Sequence, residues 1–547
     1  MRSRPRIGLA VGFAICWGGA DEVFAQGKLW DKRYPDTNPV MGAPDRPAGV
    51  FGRRNAALST GSRFTSATNS AFYFVRQSVG GPTGAAGGQI VDTFQWPITG
   101  SRRVRTAICS TFLPSTVNQY AAIGVVAGTT ANDLGFLRPA MVAVQIDTFP
   151  STGTFTLLGS AQEALTLNED RLPVAVETDG EFIAIAATGN GHSTDVGAYL
   201  MVYDMSGAKI VESKFDTAGD DVPVAVGFVT TSAGQRAAYL VLTTPSIVTP
   251  GATQMAVHGW VVSESGPWLR GTELGTLYVP QNPGDSDEAR DAATASATSV
   301  AVGLVAGTGT RSKGGSETAK DYVTFLAMPT AVTGQPDAFS VQWVDLWDMH
   351  QQTPPQVEDT DDAKAILVYD ASGSGQSDTL GSIRVAVTGT TSPVGGVKTV
   401  GTIVYTGFGE RKWFGHWNDA HPTYTGDRVP MSMAWGRLGP SSVPLLFISA
   451  YAEKAGGNRD YACMGYYTSL FLPEFGRVPE FWNDLGEFYS AAWGTVDGRD
   501  EARFIWTGNI EAAAPNHVKG TIFVNGVSEH AVSGDDWVVM RIESGEP

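Results

Sequence analysis

Apolar and polar positions along this chain alternate on a short beat. Runs of five to eight residues rich in Val, Ala, Ile and aromatics stand between turns of Gly, Asp, Pro and Ser, as in NAALSTG (55–61), EFIAIAATG (181–189) and SIRVAVTG (382–389). Runs of that length, composition and punctuation predict β-strands. No stretch carries the period of a long amphipathic helix. After residue 25 no apolar run approaches the roughly 18 residues a membrane-spanning helix needs.

The strands come in a recurring order. A charged turn followed by an apolar strand appears eight times: PDRPAGVFG at Asp45, SRRVRTAIC at Arg103, EDRLPVAVE at Asp170, GDDVPVAVG at Asp220, SDEARDAAT at Asp287, TDDAKAILV at Asp361, GDRVPMSMA at Asp427 and GRDEARFIW at Asp500. The steps between markers run from 50 to 74 residues, with a mean of 65. Within a unit a second strand ends in a small-residue turn (AVGLVAG, 301–307). A third follows (AFYFVRQ, GAYLMVYDMSG, KDYVTFLAM, RDYACMGYY). A fourth carries an aromatic or apolar anchor, often Trp (FQWPITG, GPWLRG, VDLWDMH, HWNDAHPTY, FWNDLGEFY). Four strands per unit of this length predict an all-β fold, a single closed β-propeller of eight four-stranded blades. The unit after Asp500 supplies only three strands, EARFIWTG, GTIFVNGV and DDWVVMRIE. GKLWDKRYPD (27–36) has fourth-strand character, with Trp30 as its anchor. The N-terminal strand is therefore expected to complete the last blade, closing the ring and hiding two sheet edges.

The segments SDEARDAATASATSVAVGLVAGTGT, KDYVTFLAM, VQWVDLWDMH and GAYLMVYDMSGAKIV carry a pattern that resembles the bacterial secreted propeller repeats called SBBP repeats. The resemblance runs over most of residues 27–541 in degenerate form: the Asp220 unit is poor and the Arg103 unit lacks its acid. It implies a secreted bacterial propeller, no enzyme activity, and seven blades. Seven would follow if the segment near the 50-residue step were not a blade.

Residues 1–25 read as a secretory signal: basic MRSRPR, apolar IGLAVGFAICWGGA, then Val23 and Ala25 before a cut. The propeller then occupies 26–547, with a secreted, periplasmic or cell-surface location and no transmembrane segment. The net charge of −17 argues against a nucleic-acid partner, because an acidic surface repels phosphate backbones; its plainest role is solubility. Of the three cysteines, Cys109 and Cys463 lie beyond the leader, each in an apolar run. They read as buried small hydrophobes rather than a bridge or metal site. A monomer is expected.

Three groups of residues are candidates for chemistry. Trp30, Trp96, Trp268, Trp347, Trp417 and Trp482 recur in fourth strands; one aromatic per blade points to inter-blade packing, with ligand stacking as the alternative. The stretch ERKWFGHWNDAHPTYTGD gathers Trp413, His416, Trp417, Asn418, Asp419, His421 and Tyr424. Aromatic faces beside Asn and Asp suit a sugar ring, and a His pair suits acid–base work. However, Trp-Asn-Asp repeats at Trp482–Asp484, which favours a structural turn. Acids cluster at Asp285, Asp287, Glu288 and Asp291, at Glu358, Asp359, Asp361 and Asp362, and at Asp220–Asp221 and Asp535–Asp536. Such clusters can cage Ca²⁺, with Asp285, Asp287, Glu288, Asp359 and Asp361 as the candidate ligands. They match no calcium-loop motif and recur at one phase of the repeat, where Asp is a turn former on a solvated rim.

No nucleophile elbow, zincin, Walker or C-x-x-C motif occurs. The reading is a non-catalytic binding or scaffold propeller that engages a glycan or an extracellular protein through loops on one face, with Trp413, His416, Trp417, Asp419, His421 and Tyr424 as the ligand-binding set. The alternatives are an extracellular polysaccharide hydrolase or lyase and a structural envelope protein.

Overall fold

A computed structural model of the chain describes residues 27–34, most of 46–467 and most of 500–543. It is an eight-bladed all-β propeller. Every strand pairing within the blades is antiparallel. Seven sheets have four strands in the described residues, and the seventh blade has three, since residues 468–499, with Trp482, lie outside them. The signal segment 1–25 also lies outside.

Each marker found in the sequence leads directly into the first strand of a blade. These first strands are Arg46–Arg53, Arg105–Pro114, Arg171–Thr178, Val222–Thr230, Ser286–Ala297, Asp362–Asp370, Arg428–Arg437 and Asp500–Asn509, for blades 1 to 8. Each touches the first strand of the next blade, and that of blade 8 touches that of blade 1, so the eight form the inner wall of a closed ring. The unit with the short step is a complete blade, 171–215, and so are the Arg103 and Asp220 units; the seven-blade count is set aside. The strand Gly27–Tyr34 pairs with Gly534–Glu543 as the fourth strand of blade 8. A buried cluster of Val50, Ala57, Val75, Phe523, Trp537 and Val539 joins blade 1 to blade 8.

Burial follows strand order. Middle strands are sandwiched between neighbouring blades on both faces, so Val196–Asp204 is buried at seven consecutive positions. The outer strand Lys209–Phe215 of the same blade mixes buried and exposed positions. This is why the second and third strands read as near-continuous apolar runs while outer strands carry charge.

All eight first strands share a β-bulge at one phase, directly after Pro47, Ala107, Pro173, Pro223, Ala289, Ala363, Pro430 and Ala502. Proline is tolerated there because an inner edge strand at a bulge needs no ladder donor. In blades 1, 5, 6 and 8 the partner opposite is Gly61, Gly309, Gly389 or Gly526. A Cβ at any of them would collide with the carbonyl of Arg46, Glu288, Asp362 or Glu501 respectively. The sequence reading ended the second strand in a turn at such glycines; the strand instead continues through them, to Ser66 in blade 1 and Thr391 in blade 6.

The acidic markers divide between exposed and buried positions: Asp170 and Asp220 are exposed, as a solvated rim requires. Asp170, Asp220 and Asp427 each accept an edge N–H of the preceding blade's third strand region, from Leu137 (2.7 Å), Val196 (2.9 Å) and Lys398 (3.0 Å). Asp221, Asp287 and Asp361 are fully buried. Asp170, Asp220 and Asp427 therefore tie their blades to the ones before.

Candidate functional site

The ring brings first-strand residues of blades 7, 8, 1 and 2 around a cavity of about 220 Å³. Blade 1 contributes Gly49, Val50 and Phe51, and blade 2 contributes Ser110, Thr111 and Phe112; Ser432, Phe504 and Ile505 come from blades 7 and 8. All of them lie within a few residues after the bulges. No residue of this lining has an ionisable side chain. Phe51 and Phe112 stack with centroids 5.4 Å apart and planes at 14°. Gly49 is required by this packing, because a Cβ would strike the Ser110 hydroxyl.

The hydroxyls are already oriented. Ser110 Oγ donates to the Ala48 carbonyl at 2.9 Å and accepts from Thr60 Oγ1 at 2.8 Å. Thr111 Oγ1 donates to Glu177 Oε1 of blade 3 at 3.0 Å. The Ser110 hydroxyl is thus turned toward blade 1, and the Thr111 hydroxyl toward blade 3.

Glu177 is half-buried on the inner wall. Its Oε1 also accepts the Thr178 N–H at 3.3 Å. Desolvation by its surroundings pushes its pKa up to about 7, against the pull of the Thr111 and Thr178 hydrogen bonds and with a small push from Asp179. Among the described residues no cation stands beside it. Asp291, on the first strand of blade 5, is likewise pushed up by desolvation, to about 6, and accepts the N–H of Ile366 in blade 6 (3.0 Å) and of Ala292 (2.8 Å). Both carboxylates act on the buried Tyr239 phenol, raising its pKa further beyond what burial does; its hydroxyl bonds Thr294 Oγ1 at 2.6 Å. Other acids near the inner wall have partners: Asp362 with Arg290, and Glu501 with Arg459. None of the cavity residues was singled out by sequence, nor was Glu177.

The sequence-selected residues fall elsewhere. Trp413, His416 and Trp417 lie on Arg411–Trp417, the outermost strand of blade 6, opposite Val404, Gly401 and Val400. Asp419, His421 and Tyr424 lie outside the described residues, as do Trp268 and Asp359. Trp96 and Trp347 are buried between blades, Trp96 stacked on Phe72 (5.7 Å) and Trp347 beside Tyr322 (5.0 Å). At these two positions packing, not ligand stacking, holds the ring.

Of the candidate calcium ligands, Asp285, Asp287, Glu288 and Asp361 lie among the described residues. Asp287 is fully buried in a two-pronged pair with Arg311, at 2.6 and 2.8 Å. Asp285 accepts the Gly314 N–H at 3.1 Å, and the exposed Glu288 pairs with Arg290. Asp361 is buried a blade away, its N–H donating to the Lys320 carbonyl. Among the described residues no group of three or more His, Cys, Asp or Glu is arranged to hold a metal ion. Asp287 and Glu288, adjacent on a strand, point to opposite faces, and Asp287 is held by Arg311 and Glu288 by Arg290. Cys463 is buried and Cys109 half-buried; both are free, and burial raises both thiols.

Among the described residues no helix is long and apolar enough to cross a membrane. No family model matches the chain. No curated protein matches it either. Solved structures similar to it include the subtype N11 neuraminidase-like protein of A/flat-faced bat/Peru/033/2010 (H18N11), at 10% identity over 68% of this chain and 87% of that one, with a TM-score of 0.32. The hemagglutinin-neuraminidase ectodomain of parainfluenza virus 5 is 8% identical over 82% of this chain and 84% of that one, TM-score 0.32. A tail fibre of Staphylococcus aureus phage P68 is 7% identical over 73% and 97%, TM-score 0.17. At this level of similarity these proteins say nothing of the activity of this chain.

Proposed function

We propose that this protein is an exported bacterial binding propeller without catalysis, and that it grips a glycan in the cavity on its inner wall. The observation that carries the reading is the cavity's composition: stacked Phe51 and Phe112 beside the Ser110 hydroxyl, with no ionisable side chain in the lining. An apolar ring face packs on the sugar's C–H face while hydroxyls fix its orientation. The basic, apolar and small-residue order of residues 1–25 supports export. Glycan-array screening of the chain from Gln26 tests the reading. Signal lost in Phe112→Ala and kept in Trp413→Ala/Trp417→Ala places the ligand in the cavity. The converse moves it to the 410–427 stretch, and no signal on any glycan rejects the reading in favour of a structural envelope protein.

One observation favours a second reading, a polysaccharide hydrolase or lyase: Glu177 holds its proton near neutrality one hydrogen bond from the cavity. Release of reducing or unsaturated ends that disappears in Glu177→Gln would establish it.

A further inference from the structure

The inner wall offers the cavity backbone as well as side chains. Ser115 donates its N–H to the Ala121 carbonyl at 3.0 Å, and the strand Arg105–Pro114 keeps an unbroken register with Ala121–Ala131 from there back to Cys109. Hydrogen-bonded pairs alternate along an antiparallel ladder, so Cys109, Thr111 and Leu113 bond to the second strand. Ser110, Phe112 and Pro114 then turn their backbone groups away from it. Pro114 fits this phase, being exposed and having no N–H to lose. The strand is the innermost of its blade, so away from the second strand means into the ring. The eight first strands share one bulge phase. Val50 of blade 1 and Ile505 of blade 8 stand, like Ser110, three positions past the residue that precedes the bulge. Ser110, Phe112, Val50 and Ile505 all line the cavity. The cavity thus meets N–H donors and C=O acceptors on the inner edges of three blades, with no charged side chain among the described lining residues.

We propose that the cavity selects a neutral N-acetylated sugar, with the Ser110 N–H donating to the acetamido carbonyl and an edge carbonyl of a neighbouring blade, at Val50 or Ile505, accepting the acetamido N–H. A trans amide points its N–H and C=O in opposite directions. One strand edge cannot satisfy both, whereas a space between the edges of different blades can. The half-buried Phe112, backed by Phe51, takes the acetyl methyl and the C–H face of the ring. A uronate, sulfate or free ammonium would lose water here with no counter-charge in the lining, which is costly. A sugar with a hydroxyl in place of the acetamido group has a shorter reach and leaves one of the two edges without a partner. At about 220 Å³ the cavity is smaller than the roughly 300–1,000 Å³ of drug-sized sites, so it takes one such ring with the rest of the glycan outside.

This inference rests on the glycan-binding reading, and the test separates the two. Isothermal titration calorimetry at pH 7 compares the β-1,4-linked trimers of N-acetylglucosamine, glucosamine and glucose. The N-acetylated trimer is expected to bind about tenfold tighter than either of the others, the scale of one or two net hydrogen bonds. Its affinity should be the same at low and high salt, since no charge is recognised. Ser110→Pro deletes the edge N–H at the kind of position Pro114 already occupies, and abolishes the preference. Ser110→Ala keeps the N–H, loses the hydroxyl and keeps the preference. Phe112→Ala weakens all three trimers together. Melting curves confirm that each variant is folded. Equal or tighter binding of the glucose or glucosamine trimer by the unmodified protein overturns the N-acetyl proposal, whatever the variants do, and leaves glycan binding standing. A preference that survives in folded Ser110→Pro overturns the assignment to the blade edge. Binding of none of the three overturns the N-acetyl proposal and counts against the glycan reading as well.

Discussion

The Thr111 hydroxyl donates to Glu177 Oε1 at 3.0 Å across the junction between blades 2 and 3. One residue lines the cavity and the other is a titrating acid on the next blade, so the bond couples pocket geometry to proton affinity.

Glu177 gives a pH dependence with a definite sign. Its folded-state value, about 7, lies above the ordinary 4.5 of a glutamate. Between those values the folded protein keeps a proton that the unfolded chain releases, so this group's contribution to stability falls as pH rises through that window and is flat above it. Glu177→Gln removes the contribution. The melting temperature of the variant relative to the parent should be higher at pH 8 than at pH 4.5; an unchanged difference would place the carboxyl in ordinary solvent.

Gly389 sits opposite Ala363 beside the blade 6 bulge, where a Cβ would meet the Asp362 carbonyl and the Tyr322 hydroxyl. Gly389→Ala is expected to cost about 1–3 kcal/mol through overpacking. Gly251→Ala, at φ 82° with open space around it, carries only the left-handed backbone penalty of about 1–2 kcal/mol. Urea unfolding of the two variants ranks them.

Asp287 and Arg311 form a fully buried two-pronged pair. Arg311→Met strands a buried carboxylate and should cost about 3–5 kcal/mol, while Asp287→Leu/Arg311→Met should recover most of that loss. The same pairing predicts that EDTA leaves the melting temperature unchanged. A drop on chelation, reversed by calcium, would reveal a metal site.

Trp347 is 1% exposed and packs in the cluster between blades 5 and 6. Trp347→Ala should cost about 3–5 kcal/mol without changing glycan signal in the folded fraction.

Removing residues 27–34 frees one edge of the strand Gly534–Glu543. The truncated chain should melt at lower temperature and associate through that edge, seen as larger species in sedimentation. A monodisperse, equally stable product would show that the pairing contributes little.

The strand beat, the repeat phase and the count of eight were legible in the sequence, because each blade repeats one local pattern and each marker, from Asp45 to Asp500, opens a first strand. The role of those markers was not: Asp170 reads as a turn former, yet its partner is the Leu137 N–H of another blade. Gly61 and Gly389 read as turn residues because the carbonyl that excludes their Cβ belongs to the bulged partner strand. Aromatic and histidine density pointed to Trp413, His416 and Trp417, on an outer strand. The cavity was invisible in sequence for a geometric reason: ring closure alone brings Gly49, Ser110, Ser432 and Phe504 together from four blades. The proton affinity of Glu177 likewise depends on desolvation by neighbours in space, which no local pattern encodes. Local hydrophobic periodicity thus determined the fold, and the closed ring decided where its chemistry converges.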